Sequence, residues 1–301
     1  MLTRRPAPEF ADTPLAKVVA AMSSVRQSEL RDWVTRLSIP RHFVHERDAN
    51  EEIAHWLAAT LKQWGFEVQF QGQWRNVVAL PANQSGPLVL VGAHYDSIAA
   101  CPGADDNASA VAAMLGCAKA CSKIEPRPRV GFVSFNREED GLLGSVDFVT
   151  HFAVGKTFSV SNAHILEMVG YASDKPQSQR LPKGLPVRVS DTGNFLALLA
   201  NRDSYRAMDE ILTSAGTYLP RFPVIGLRVT LGLEKYFPVL LRSDHAPFWE
   251  QKLSAVMWTD TSEFRNPYYH EPGDKPSTLN YQFLESVTRL LVATVLSSNS
   301  Q

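Results

Sequence analysis

The sequence predicts an α/β fold, and three observations carry that prediction. Apolar runs of strand length (VVAL at 77–80, LVLVGA at 88–93, VGFVSF at 130–135, ILEMV at 165–169 and AVMW at 255–258) alternate with helix-patterned segments. The runs are continuous, as expected of central strands buried on both faces. Between the second and third, residues 108–121 (ASAVAAMLGCAKAC) are strongly helix-forming and nearly apolar, so they should pack directly on the sheet.

Taken in order, residues 1–40 read as a helical lead-in. Asp48 followed by Glu51 reads as a capping box. The helix it opens presents Ile53, Leu57, Leu61 and Trp64 on one face, and Gly65 stops it. Residues 172–190 contain three prolines and few apolar anchors, the composition of an ordered surface loop. Phe283, Val287, Leu290, Leu291 and Val295 have helical spacing and close the chain. Without an internal repeat or a linker, 301 residues at 45% hydrophobic read as one domain over 1–301.

Composition excludes several classes. Lys plus Arg number 30 against 31 Asp plus Glu, so no overall field draws nucleic acid or an anionic membrane, and a peptide or small neutral substrate fits better. The opening MLTRRPAPEFADTPLAKVVA lacks the unbroken apolar run of a signal peptide, and no stretch reaches the roughly 18 apolar residues of a membrane span. Three closely spaced cysteines, Cys101, Cys117 and Cys121, argue for a reducing compartment, with the cytoplasm as the expected location. Cys117 and Cys121 read as buried apolar thiols and not as a metal pair.

Chemistry concentrates in five short segments that follow strand runs: GAHYDS, GADDN, NREED, HILEMVG and NPYYHEPGD. Ligands of open α/β sheets gather at the carboxyl ends of the strands. Two histidines with three or more carboxylates form the inventory of a two-metal hydrolytic site. His94 and Asp96, two apart as a strand ends, point to one side, so His94 binds metal and Asp96 takes the proton of its far nitrogen. Asp105 and Asp106 precede the apolar helix; Asp106 is assigned the bridge between two cations, leaving Asp105 or Asn107 as the helix cap. Of Glu138 and Glu139, adjacent in an extended turn, one can bind metal while the other faces the attacking water as general base. Glu167 lies inside an apolar run, where an unpaired charge would cost several kcal/mol and a nearby cation removes the difficulty. With Asp106, Glu139 and Glu167 as ligands, three carboxylates and a hydroxide balance two divalent ions. Nitrogen and oxygen donors suit zinc, cobalt or manganese, and the two histidines favour zinc.

The segments GAHYDS, GADDNAS, NREEDGLLGS, LEMVGY and YYHEPGDKPSTLNY resemble the five metal-site motifs of the M28 family of co-catalytic zinc exopeptidases, the bacterial leucyl aminopeptidase type. The resemblance covers the chain from about residue 40 to its end. It implies a mixed, mostly parallel sheet sandwiched between helices and hydrolysis of the N-terminal peptide bond of peptide substrates. It also implies two zinc ions per chain: His94 and Glu167 hold one, Glu139 and His270 the other, and Asp106 bridges them. Glu138 is then the general base and Asp96 the partner of His94, and the peptide bond after Asp106 is cis. Glu167 departs from the family pattern, where aspartate is usual. A single-zinc glutaminyl-peptide cyclotransferase shares the fold and several motifs, and a non-catalytic binding protein on the same fold is the non-enzyme alternative.

Tyr269, beside His270, is the candidate donor to the oxyanion. Ser243, Asp244 and His245, being consecutive, cannot form a hydrolase triad; with TDTSEFRNP they read as pocket wall. Trp258, Phe264 and Tyr268 are candidates for an apolar side-chain pocket.

Overall fold

The computed structural model describes residues 3–6, 13–82, 86–153, 159–185 and 187–298. Its strands are β1 (Thr3–Pro6), β2 (Phe66–Gln71), β3 (Asn76–Pro81), β4 (Leu88–His94), β5 (Val130–Phe135), β6 (Val160–Glu167), β7 (Leu196–Ala200), β8 (Val224–Arg228) and β9 (Ala255–Thr259). Its α-helices are α1 (Ala16–Ser23), α2 (Gln27–Leu37), α3 (Arg47–Gln63), α4 (Ala110–Cys121), α5 (Leu143–Asp147), α6 (Tyr205–Tyr218), α7 (Ala246–Glu250) and α8 (Tyr281–Ser298). The strands form one mixed sheet in the order β1-β8-β7-β9-β6-β4-β5-β3-β2. Its centre, β9, β6, β4 and β5, is parallel, and antiparallel pairing begins at β7 on one side and β3 on the other.

The five apolar runs are β3, β4, β5, β6 and β9, and every residue of β4, β5 and β9 is buried. β6 starts at Val160, five residues before the apolar run, because its half-exposed opening VSN carries no apolar signal. β7 and β8 are apolar stretches of only five residues, and β2 is a largely exposed polar strand. None of the three stands out in the sequence. Thr3–Pro6 is a strand paired antiparallel with β8, where a helical lead-in over 1–40 is expected; α1 and α2 follow it. The capping box does not form. Asp48 lies inside the first turn of α3, whose N-cap is Glu46, and no side chain caps it. The Glu46 carboxylate instead accepts from the backbone N–H groups of His42 at 3.1 Å and Ala100 at 3.2 Å.

Alternation along the strands separates two cores. Val89, Val91 and Ala93 of β4 face a cluster built with α2, α3, α4 and α8, whereas Leu90 faces the opposite side. Helix α4 is buried almost throughout, packed between the sheet and α8. Gly116 permits that approach: a Cβ there would lie 2.7 Å from Thr288 Cγ2. Cys117 and Cys121 are free and buried in this layer. The opposite face carries Phe135, Phe148 and Phe248 around the short helices α5 and α7. Over β7, β8 and β9 that face is covered by loops, and this leaves room for a cavity.

Candidate metal centre

The parallel strands deliver the ligand types to one end of the sheet. His94 and Glu167 are the last residues of β4 and β6, Glu138 and Glu139 follow β5, and His270 lies in the loop after β9. Asp106 comes from the connection between β4 and α4. One donor atom from each of His94, Glu138 and Glu167 falls within 4.8 Å of the others, and Asp106, Glu139 and His270 form a second such group. His94 Nε2 is 3.3 Å from Asp106 Oδ1, 3.4 Å from Glu167 Oε2 and 3.9 Å from Glu138 Oε2. His270 Nε2 is 3.2 Å from both Asp106 Oδ2 and Glu139 Oε2.

These spacings fit a metal. A tetrahedral zinc with donors about 2.0–2.1 Å away holds neighbouring donors roughly 3.3–3.4 Å apart. The His94–Asp106, His94–Glu167, Asp106–His270 and Glu139–His270 separations lie close to that edge. Both ring nitrogens of His94 and Oδ1 of Asp106 are buried without a hydrogen bond of good geometry, and such atoms are costly unless a cation takes them. Asp106 turns one oxygen toward each histidine. Glu138 and Glu139 diverge: Glu139 faces His270 and accepts from Ile98 N at 3.1 Å, while Glu138 approaches the His94 side.

The support is built from backbone N–H groups held by buried side chains. Asp96 faces His94 Nδ1 at 3.5 Å and accepts from the N–H groups of Glu138 and Glu139, both at 3.3 Å. Neither Asp105 nor Asn107 caps the following helix. Asp105 accepts from Gly170 N at 2.9 Å and Asn266 Nδ2 at 2.8 Å, and Asn107 pairs with Leu166 O and Met168 N. Both therefore tie the Asp106 segment to the exit of β6, on either side of Glu167. The Asp106–Asn107 peptide is cis. Gly103, at φ +58°, makes this turn possible, since a Cβ there would stand 2.2 Å from the Asp106 carbonyl oxygen.

The roles of three supporting residues escape a reading of the sequence. Asp274 accepts from the N–H groups of Asp105 and Asp106 at 2.9–3.1 Å; its place four residues after His270 is the one available signal. Ser243 donates to Glu167 Oε2 at 2.7 Å. It belongs to no triad, because His245 bonds the Leu240 carbonyl instead. Arg41 is fully buried beneath the site and donates to the carbonyls of Ile39, Tyr95, Pro102 and Gly103. No local pattern announces it.

Electrostatics express the same need for cations. Burial alone would depress the His94 imidazole, but Glu138 and Glu167 raise it well above its ordinary value. Burial likewise opposes charge on His270, yet Asp106 and Glu139 lift it to about 10. Glu139 is pushed up to about 7 by burial and the Asp106 charge. Burial also raises Glu138 and Glu167. Asp106 goes the other way: burial would raise it, and the two histidines hold it below the usual carboxylate range. Without metal, the cluster retains protons where cations would sit.

A cavity of about 100 Å³ opens from this centre along the sheet face. Met257, Leu199 and Leu227 form its floor on β9, β7 and β8, and Leu181, Leu185 and Val189 its roof, so part of the stretch expected to be a surface loop walls a pocket. Gln179 latches that wall: its amide donates to Thr261 Oγ1 at 2.8 Å and accepts from Arg265 Nε at 2.9 Å. Phe264 and Tyr269 line the cavity. Trp258 does not, being fully buried in the other core with its indole on His164 Nδ1 at 3.3 Å. Tyr268 also stands outside it, packed over Gly273.

Residues 76–205 match the model of peptidase family M28. The chain is 30% identical to the uncharacterized protein YfbL of Escherichia coli (strain K12) over 75% of this chain and 72% of YfbL. Among solved structures, the LapA aminopeptidase of Legionella pneumophila superposes with a TM-score of 0.78 at 20% identity, over 98% of this chain and 76% of LapA. BSAP, a zinc aminopeptidase from Bacillus subtilis, is 25% identical with a TM-score of 0.55 over 74% of this chain, which spans about half (49%) of BSAP. A glutaminyl cyclase of Porphyromonas gingivalis has the same fold, with a TM-score of 0.67 at 16% identity over 91% of this chain and 99% of its own. Among the described residues no helix is long and apolar enough to cross a membrane.

Proposed function

The chain belongs to peptidase family M28, and on that premise we propose that it is a two-zinc aminopeptidase that removes N-terminal residues with apolar side chains. The observation that carries the reading is the posture of Asp106, one oxygen 3.3 Å from His94 Nε2 and the other 3.2 Å from His270 Nε2. A carboxylate so placed would serve two cations at once. His94 and Glu167 would hold one zinc, and Glu139 and His270 the other. Bound there, the pair supplies Lewis-acid polarisation of the scissile carbonyl and acidifies the attacking water. Glu167, though longer than the usual aspartate, meets His94 at 3.4 Å, against 3.3 Å for Asp106, and is steadied by Ser243.

Glu138 removes the proton from the attacking water and delivers it to the leaving amine; its buried, proton-retaining environment suits that exchange. Asp96 fixes the backbone from which Glu138 projects. Tyr269, on the cavity wall beside His270, donates to the oxyanion as the carbonyl becomes tetrahedral. The apolar cavity receives the side chain of the first residue. The test is zinc content by mass spectrometry together with product analysis on leucyl, phenylalanyl and glutaminyl peptides. Two zinc ions per chain and release of free N-terminal residues support the reading; one zinc with pyroglutamate formation overturns it.

A further inference from the structure

We propose that Arg242 is a positioning residue that fixes the Tyr269 hydroxyl as a donor toward the reacting carbonyl. This rests on the aminopeptidase reading above. A guanidinium has donors only, so where Arg242 Nη2 lies 2.7 Å from the Tyr269 oxygen, that oxygen must accept. The phenolic proton lies near the ring plane, with two orientations about the C–O bond. Arg242 occupies one and leaves the other for the proton.

The ring itself is restrained by its neighbour. It stacks on His270 with centroids 3.7 Å apart and planes 21° from parallel. Tyr269 therefore holds its proton inside the cavity it shares with Asp106, Glu138 and Glu167. Arg242 in turn is gripped by Glu263 through its other terminal nitrogen. Its charge is thus balanced within the protein by the Glu263 carboxylate. The next residue, Ser243, holds Glu167, so one short segment orients both a metal-ligand carboxylate and the oxyanion donor.

Kinetics of the zinc-loaded enzyme on leucine amide test the proposal with Arg242→Leu, Arg242→Lys, Tyr269→Phe and the Arg242→Leu/Tyr269→Phe double variant. Arg242→Leu should lower kcat about tenfold and leave KM within about threefold, and Arg242→Lys should recover part of the loss. Tyr269→Phe should lower kcat about a hundredfold, and the double variant should match it, because Arg242 acts only through Tyr269. Multiplicative losses in the double variant, or a loss carried by KM, would overturn the proposal. The ultraviolet resonance Raman C–O stretch of Tyr269, isolated by difference against Tyr269→Phe, gives a second readout: it reports the hydrogen bond that the phenol oxygen accepts from Arg242, should shift in Arg242→Leu as that bond is lost, and an unmoved band rejects the coupling. This readout stands even if the wild type releases no N-terminal residue, an outcome that would reject the peptidase reading alone.

Discussion

Asp96 holds Glu138 by its backbone: the carboxylate accepts from the Glu138 N–H at 3.3 Å while its Oδ1 faces His94 Nδ1 at 3.5 Å. One side chain thereby couples the orientation of the imidazole proposed as a metal ligand to the placement of the proposed general base. Asp96→Asn keeps the shape but turns one acceptor into an amide donor that opposes N–H groups. It should weaken zinc binding about 10–100-fold and lower kcat beyond what added zinc restores. Zinc titration followed by kinetics at saturation checks this, and full recovery at saturating zinc would leave Asp96 no role toward Glu138.

Glu138→Gln should retain two zinc ions and the fold while lowering kcat about 10²–10⁴-fold, the usual worth of a general base. His94→Ala should instead lose one zinc and activity together, because its Nε2 is the nitrogen that faces Asp106 and Glu167. Metal stoichiometry separates the two roles. Unchanged stoichiometry in His94→Ala, or unchanged turnover in Glu138→Gln, would reverse the assignment.

Arg41 should matter to folding before it matters to catalysis. It is fully buried and satisfies four carbonyls, three of them in the loop that runs from His94 to Asp106. Arg41→Met strips those carbonyls of their donors, and Arg41→Lys offers one ammonium that cannot reach all four. Both should destabilise the metal-free protein by about 3–5 kcal/mol. Denaturant unfolding measures it, and a loss under about 1 kcal/mol would show that the loop holds without the guanidinium.

The contrast between His94 and Arg41 explains how far the sequence can be read. His94, Glu138 and Glu139 follow apolar runs and Glu167 interrupts one, and the burial of such runs is visible locally, so strand ends and ligand types are read together. Arg41 bonds carbonyls up to 62 residues away, and every residue carries a carbonyl; such a pairing leaves no local trace. Asp274 and Ser243 are of the same kind, since they act on partners chosen by the fold. Strands β7 and β8 are too short to separate from a buried turn of helix by periodicity. Residues 172–190 look solvent-facing by composition because so few of them are apolar, yet Leu181, Leu185 and Val189 line the cavity.

Two buried histidines away from the ligand set predict the acid limb of stability. His164 receives the Trp258 indole N–H at 3.3 Å, and His245 sits edge-on to Trp249 with Nε2 on the Leu240 carbonyl. Burial depresses both to about 4, against about 6.5 in an unfolded chain. Both are therefore neutral in the native state, and their contribution is intact above pH 6.5. As pH falls from 6.5 toward 4, the unfolded chain binds protons that the native state refuses, and stability is lost. At pH 5 each should account for about 2 kcal/mol of that loss. His164→Asn keeps an acceptor for the indole and removes one titrating ring. Its stability should accordingly fall by about 2 kcal/mol less than the wild type between pH 7 and pH 5, whatever the substitution costs at neutral pH. Urea midpoints at the two pH values read the difference, and parallel losses in both proteins would mean that His164 is already accessible to protons in the folded state.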